Sequence, residues 1–507
     1  MKHPSVTIKI KMGNPPVPRN LSYTQTCELV RSLLAAGQYE IAAQLCSVLV
    51  NAVPDDPETL LFAADILLQG KDASAAANYL ERAAGLCGIT AAVLLMRSRI
   101  ALEMNDGDRA IESLGQLIEL DKNNHQAYIE RGDAFLILGK AEQAKSDYSQ
   151  AFELNNLDTR SLLQLSRLPG AEISQEQISL LESLLSGGRL QQPEQIYAHF
   201  VLANAYDRLE DIPRHFDHLK RGNELARGHH HHDPLQHRAI VEKVIDHFPS
   251  PFFARKPPPS RHQQRIIFIL GMPRSGSTLI EQILCAHSGV RSVGENHYMH
   301  QAMGAFLQMN GSGLDFPGAI NQQNMAHLGA IADSYLKYIG AAATDEVVVD
   351  KSWGDYLYPG VISLIFPNAR FVHSRRHPVA TCYGCYKVLF GSGLVPFAYS
   401  FDQLVSQYRD VDNILEHWKA VLPGKFHTLQ YESLVQDQES QTRRLLAFCG
   451  LNWEEACLAF HDNTGAIGNA SNFQVRSKLY SHAVDEWRKY EEYLGPLMEL
   501  VETQAQS

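Results

Sequence analysis

The sequence predicts a multidomain chain: an N-terminal all-α repeat solenoid followed by an α/β domain with a mostly parallel sheet. Three observations carry this. Small residues recur at a fixed period of 34 through the first half. After residue 262, short apolar runs with turn signals alternate with helical patterns. The first of those runs ends in a glycine-rich turn, G-x-x-x-x-G-x-T at 271–278, spaced like a loop that cradles phosphates. At 507 residues the chain is too long for a single core. Its 45% hydrophobic and 20% charged content is ordinary for globular domains. A net charge of −11 argues against a nucleic-acid partner. The N-terminus has no apolar signal region, and the longest aliphatic run, Ile266–Leu270, is too short to span a membrane. Eight cysteines spread over the whole length suit a reduced, cytoplasmic setting.

The repeat rows are explicit. Ala42, Ala76, Ala110 and Ala144 form one; Leu49, Ala83, Leu117 and Ala151 a second; Cys46, Leu80, Leu114 and Tyr148 lie between them. The fullest copy is 126–156, with Gly132, Leu138 and Gly139 also in place. This is the tetratricopeptide signature: small residues let paired helices approach, and each pair buries its apolar face by stacking on the next. The predicted organisation is an N-terminal arm (1–22), a solenoid (23–228), a linker (229–262) and an α/β domain (263–507). Repeats are placed at 23–56, 57–90, 91–124, 125–158 and 196–229, with irregular helices over 159–195. A concave solenoid surface suits a protein or peptide partner. The four adjacent histidines at 229–232 cannot all face one ion, so a solvated turn is the simpler reading.

In the second half, strands are expected at 265–270, 346–350, 369–374 and 425–431. Ligands of such sheets sit at the carboxyl ends of the strands, where the 271–278 turn falls. That turn differs from a nucleoside-triphosphate loop in one place: Ser277 stands where lysine would reach the β/γ-phosphates.

The order of motifs resembles sulfotransferases that use 3′-phosphoadenosine 5′-phosphosulfate, the tyrosylprotein type above all, and bacterial proteins in which tetratricopeptide repeats precede such a domain. The resemblance covers about 265–500 and implies a P-loop-like sulfotransferase fold that needs no metal. It implies that Arg274, Ser275, Gly276, Ser277 and Thr278 hold the 5′-phosphosulfate, and that Lys351 in D-K-S-W stands beside the sulfuryl group. Trp353 replaces the usual proline there. Arg376 matches the arginine of the 3′-phosphate motif, but Gly384 stands eight residues on, where the family has serine. Tyr431 matches a residue near the nucleotide; Ser471 and Arg476, in S-N-F-Q-V-R, resemble the loop that closes over it.

Glu295, 21 residues after Arg274, matches the family's general base. An alternative alignment puts Asn296 there and leaves His297, His300 and His373 to compete. The implied reaction moves a sulfuryl group to a hydroxyl acceptor, with a tyrosine of a protein docked by the repeats as one candidate. Lys351 and Arg274 balance charge on the leaving phosphate. An inactive nucleotide domain serving a repeat-based interaction module is the competing reading, and Gly384 keeps it open; a magnesium-dependent kinase, lacking its lysine here, is the third. The repeats could equally build a homodimer. Cys382 and Cys385 are expected to be buried thiols, and Trp487 and Tyr490 to pack a terminal segment.

Overall fold

The computed structural model describes residues 7–12, 17–35, 39–70, 72–104, 106–229, 231–254, 261–309, 315–321, 323–340, 346–391, 395–462 and 484–505. The chain forms two compact units, 1–171 and 172–507.

In the first unit, helix pairs follow the 34-residue period: Tyr23–Ala35 with Tyr39–Ala52, Pro57–Gln69 with Ala73–Cys87, Ala91–Glu103 with Gly107–Leu120, and His125–Ile137 with Ala141–Leu154. Ala42, Ala76, Ala110 and Ala144 are all completely buried, as are Leu49, Ala83 and Ala151. Gly132 shows why small residues are needed: a Cβ there would meet the Tyr148 ring at 2.6 Å. The helix starts repeat with the same period. Asp56, Thr90 and Asn124 cap the first helices of successive repeats by accepting from the amides of Thr59, Val93 and Ala127. Asp72 and Asp106 cap second helices in the same way. Each cap contributes about 1 kcal/mol. Ahead of the first pair lies an unexpected element, the antiparallel hairpin β1 (Thr7–Met12) and β2 (Val17–Ser22). Ile8 from this hairpin is buried with Cys27, Val30 and Ala42.

The second unit holds the pair Gln192–Arg208 and Ile212–Arg227 together with the α/β half. Composition places its break near 228, yet the compact units divide at 171/172. The reason is packing. Ala203 O fixes His215 Nδ1 as a donor (2.8 Å), so His215 Nε2 accepts from the Tyr383 hydroxyl at 3.0 Å. Asn223 Nδ2 donates to Tyr386 O at 3.1 Å. Within 229–262 the segment Pro234–His247 is helical, and its His237 and Arg238 both reach Asp410 at 3.1 Å.

The sheet is fully parallel. Its strands are β3 (Ile266–Leu270), β4 (Val290–Ser292), β5 (Val347–Asp350), β6 (Arg370–Arg375) and β7 (Phe426–Gln430), in the order β4-β5-β3-β6-β7. Only the short edge strand β4 lacked a sequence expectation. Ile267, Ile269, Val349 and Val372 pack beneath Leu279, Ile283 and Leu284 of the helix Ser277–Cys285. This fixes that helix, and the turn before it, at the carboxyl edge of the sheet.

Candidate active site

Every strand of the sheet delivers a predicted residue just past its carboxyl end: Glu295 after β4, Lys351 after β5, the 271–278 loop after β3, Arg376 after β6 and Tyr431 after β7. Sheet order therefore arranges the site. Glu295 and Lys351 lie towards one edge, Arg376 and Tyr431 towards the other, with the loop between them.

Glycine is required at two loop positions. Gly271 has φ of 142°, and a Cβ there would sit 2.5 Å from Ser374 O. Gly276 has φ of 102°, and its Cβ would meet Tyr431 Cδ2 at 2.8 Å. Arg274 is also left-handed, at 67°, which costs about 1–2 kcal/mol without a glycine. Turns of this kind gather amide groups into an anion-binding concavity. Gly276 caps the helix Ser277–Cys285 without a side chain, which leaves first-turn amides unclaimed by any side-chain cap.

The Ser275 hydroxyl donates to Ser374 Oγ (3.0 Å), and Ser374 Oγ donates to Ser275 O (3.0 Å), pinning the loop to β6. The Ser275 amide is also engaged, by Met272 O. Ser275 thus builds the loop from within.

Arg376 is brought to the same loop. One of its Nη atoms donates to Arg274 O at 3.4 Å, and its guanidinium lies 4.6 Å from the centre of the Tyr431 ring. Its neighbour Arg375 is committed to Asp412 at 3.3 Å. Glu432 accepts from the His377 amide (2.9 Å) and from Gln430 Nε2 (2.6 Å), fixing the end of β7 to the start of the helix Pro378–Tyr386. Gly384 of that helix faces Arg274: a Cβ there would lie 3.2 Å from Arg274 Cβ. The departure from serine at 384 thus makes room for the loop arginine.

On the other side, Lys351 is 3% exposed and its ammonium meets three oxygens: Thr278 Oγ1 at 3.3 Å, Glu281 Oε2 at 3.2 Å and Glu295 Oε2 at 3.4 Å. The Glu295 side chain is 41% exposed, whereas that of Glu281 is 6% exposed. Asp350, before the lysine, is buried and accepts from Tyr335 OH (2.8 Å), Ser352 Oγ (2.6 Å) and Asn296 Nδ2 (3.3 Å). Burial raises its pKa above the usual carboxylate range, against these hydrogen bonds. Asn296 is therefore tied to the structural carboxylate, whereas Glu295 faces the ammonium. Of the competing histidines, His300 is engaged by Tyr358 OH at 2.8 Å. His373 is buried on β6, and burial pushes its pKa well below the usual value.

Ser471 and Arg476 lie outside the described residues. Glu281 was missed from sequence; the available signal was its place one helical turn after Thr278. Cys382 and Cys385 are buried, and burial pushes the Cys385 thiol up to about 12. Trp487 stacks on His377 at 4.6 Å, and the Tyr490 hydroxyl donates to Asp207. Among the described residues there is no cluster of three metal-ligating side chains, and no helix long and apolar enough to cross a membrane.

Comparison with known proteins matches stretches in both halves of the chain. Residues 266–455 match the model of the sulfotransferase family, and residues 27–88 and 95–153 match that of the tetratricopeptide repeat. An uncharacterized protein of Aquifex aeolicus is 29% identical over 80% of this chain, which spans 54% of that relative's length. A putative protein-tyrosine sulfotransferase of Caenorhabditis briggsae is 23% identical over 44% of this chain and 81% of its own. The protein-tyrosine sulfotransferase 1 of Danio rerio is 27% identical over 41% of this chain and 60% of its own. Among solved structures, the sulfotransferase domain of the curacin biosynthetic pathway covers 45% of this chain and 91% of its own, with 19% identity and a TM-score of 0.32.

Proposed function

We propose, from a chain in which tetratricopeptide repeats precede a domain of the sulfotransferase family, that the second half transfers a sulfuryl group from 3′-phosphoadenosine 5′-phosphosulfate to a hydroxyl acceptor. The observation that carries this is the placement of Lys351 between Thr278, on the anion loop, and Glu295, which faces solvent. That is one cation within reach of both a phosphosulfate in the loop and a base beside an incoming hydroxyl.

The division of labour follows from the chemistry. A hydroxyl is a poor nucleophile until a base accepts its proton as the new S–O bond forms. Glu295 is the accessible carboxylate and takes that proton. The bond that breaks joins sulfur to the bridging oxygen, and the electrons go to adenosine 3′,5′-bisphosphate. Lys351 and Arg274 are the cations placed to balance that charge. Arg376, with Tyr431 beneath it, suits the 3′-phosphate. The missing P-loop lysine is explained, because no β/γ-phosphate needs to be reached. Ser471 and Arg476 complete the donor site in this reading.

For the acceptor we favour a tyrosine hydroxyl on a polypeptide held by the repeats. The named protein-tyrosine sulfotransferases among the relatives and the solenoid ahead of the domain both support it. Incubation with ³⁵S-labelled donor and a set of tyrosyl peptides and simple alcohols tests the reading. Label should enter a tyrosyl peptide with the wild-type protein and not with Glu295→Gln. Label entering no acceptor removes the reading; equal labelling by the variant would keep sulfuryl transfer and remove Glu295 as its base.

A further inference from the structure

We infer that Glu281 is a positioning residue that shares the Lys351 ammonium with Glu295 and thereby keeps Glu295 available as a base. The inference rests on the sulfuryl-transfer reading for its purpose and on the geometry for its existence.

An ammonium has three donors. Lys351 faces three oxygens, of Thr278, Glu281 and Glu295. Two of these belong to carboxylates, so one positive charge serves two negative ones. The two carboxylates are not equivalent. Glu281 is buried on the helix Ser277–Cys285, and its second oxygen accepts from the Ser292 hydroxyl at 2.5 Å. It cannot leave. Glu295 is half-exposed in the segment after β4 and, among the described residues, has no such anchor.

The consequence is electrostatic. A carboxylate whose sole close counter-ion is a buried ammonium is a weak base, because the pair stabilises its charged form. A second, fixed carboxylate at 3.2 Å from the same ammonium offsets that stabilisation. It also holds the ammonium beside Thr278 when Glu295 turns to an acceptor hydroxyl. Without Glu281, Lys351 and Glu295 would close into a simple ion pair that opposes both tasks.

The test reads the carboxylate directly and needs no acceptor. Glutamate δ-carbons are labelled with ¹³C, the Glu295 signal is assigned with Glu295→Gln, and its titration is compared in the wild type and in Glu281→Gln. Removing the fixed negative charge should move the Glu295 midpoint down, by more than the spread between repeat titrations of the wild type. Glu281→Asp, whose carboxylate is drawn back by one methylene, should show a smaller shift of the same sign, and it carries the test if the glutamine variant does not fold. A midpoint that stays or rises in folded protein overturns the inference. With ³⁵S-labelled donor and a tyrosyl peptide, the acid limb of the rate profile should move down by the same amount in Glu281→Gln. A midpoint that moves in a protein transferring no label upholds the coupling and removes the reaction it serves.

Discussion

The Lys351 ammonium lies 3.4 Å from Glu295 Oε2, although the two residues are 56 apart in sequence, because they follow the adjacent parallel strands β4 and β5. Sheet topology, and no local motif, assembles this pair. The first expectation follows from it. Glu295→Gln should lower turnover by about 10²–10⁴-fold, the usual contribution of a positioned base. Binding of adenosine 3′,5′-bisphosphate, followed by calorimetry, should stay within about threefold, since the loop and Arg376 are untouched. Equal losses in binding and turnover would mean that Glu295 holds the site together.

Lys351→Met should cost more than activity. It strands the buried Glu281 carboxylate, and removing one partner of a buried ion pair typically destabilises by about 3–5 kcal/mol. Thermal unfolding should show a clear drop for this variant and almost none for Glu295→Gln, whose side chain is 41% exposed. The double variant Lys351→Met/Glu281→Leu should recover much of the loss in stability without recovering transfer.

Gly384→Ser tests the departure in the phosphate motif. A Cβ at 384 would press on Arg274 at 3.2 Å, and Arg274 has little freedom to retreat from its left-handed backbone. The substitution should weaken adenosine 3′,5′-bisphosphate binding by about three- to tenfold, on the scale of 1 kcal/mol. Tighter binding would show that the serine hydroxyl outweighs the crowding.

A pH-dependent effect should appear at Asp355. Its carboxyl is wholly buried, and burial followed by the nearby Asp350 raises its pKa well above the usual value. A raised folded-state pKa favours the native state at low pH and loses that advantage as pH climbs from the ordinary carboxylate range through the raised value. Asp355→Asn, which cannot ionise, should therefore gain thermal stability relative to wild type between pH 5 and pH 8. A difference that is flat or shrinks over that range contradicts the assignment.

The sequence revealed what periodicity and loop chemistry encode. Ala42 and its three counterparts sit at zero exposure because a helix pair must approach closely every 34 residues, and that need writes itself on the chain. The anion loop was legible for a similar reason: Gly271 and Gly276 occupy backbone that other residues would strain. The hairpin of β1 and β2 was not read, although Ile8, Ile10 and Met12 alternate with Lys9 and Lys11; so short an alternation was outweighed by the helical period that follows it. The packing of His215 and Asn223 on Tyr383 and Tyr386 is a single long-range event with no repeat to announce it. Glu281 looked like an ordinary polar residue in an amphipathic helix. Its role depends on Lys351, 70 positions away, which only the sheet brings near.

The donor site itself is the most direct test of the account. Calorimetry of adenosine 3′,5′-bisphosphate without divalent metal should show a single site that is lost in Arg274→Ala and in Arg376→Ala. Indifference to this ligand, with firm binding of ATP and magnesium instead, would contradict it.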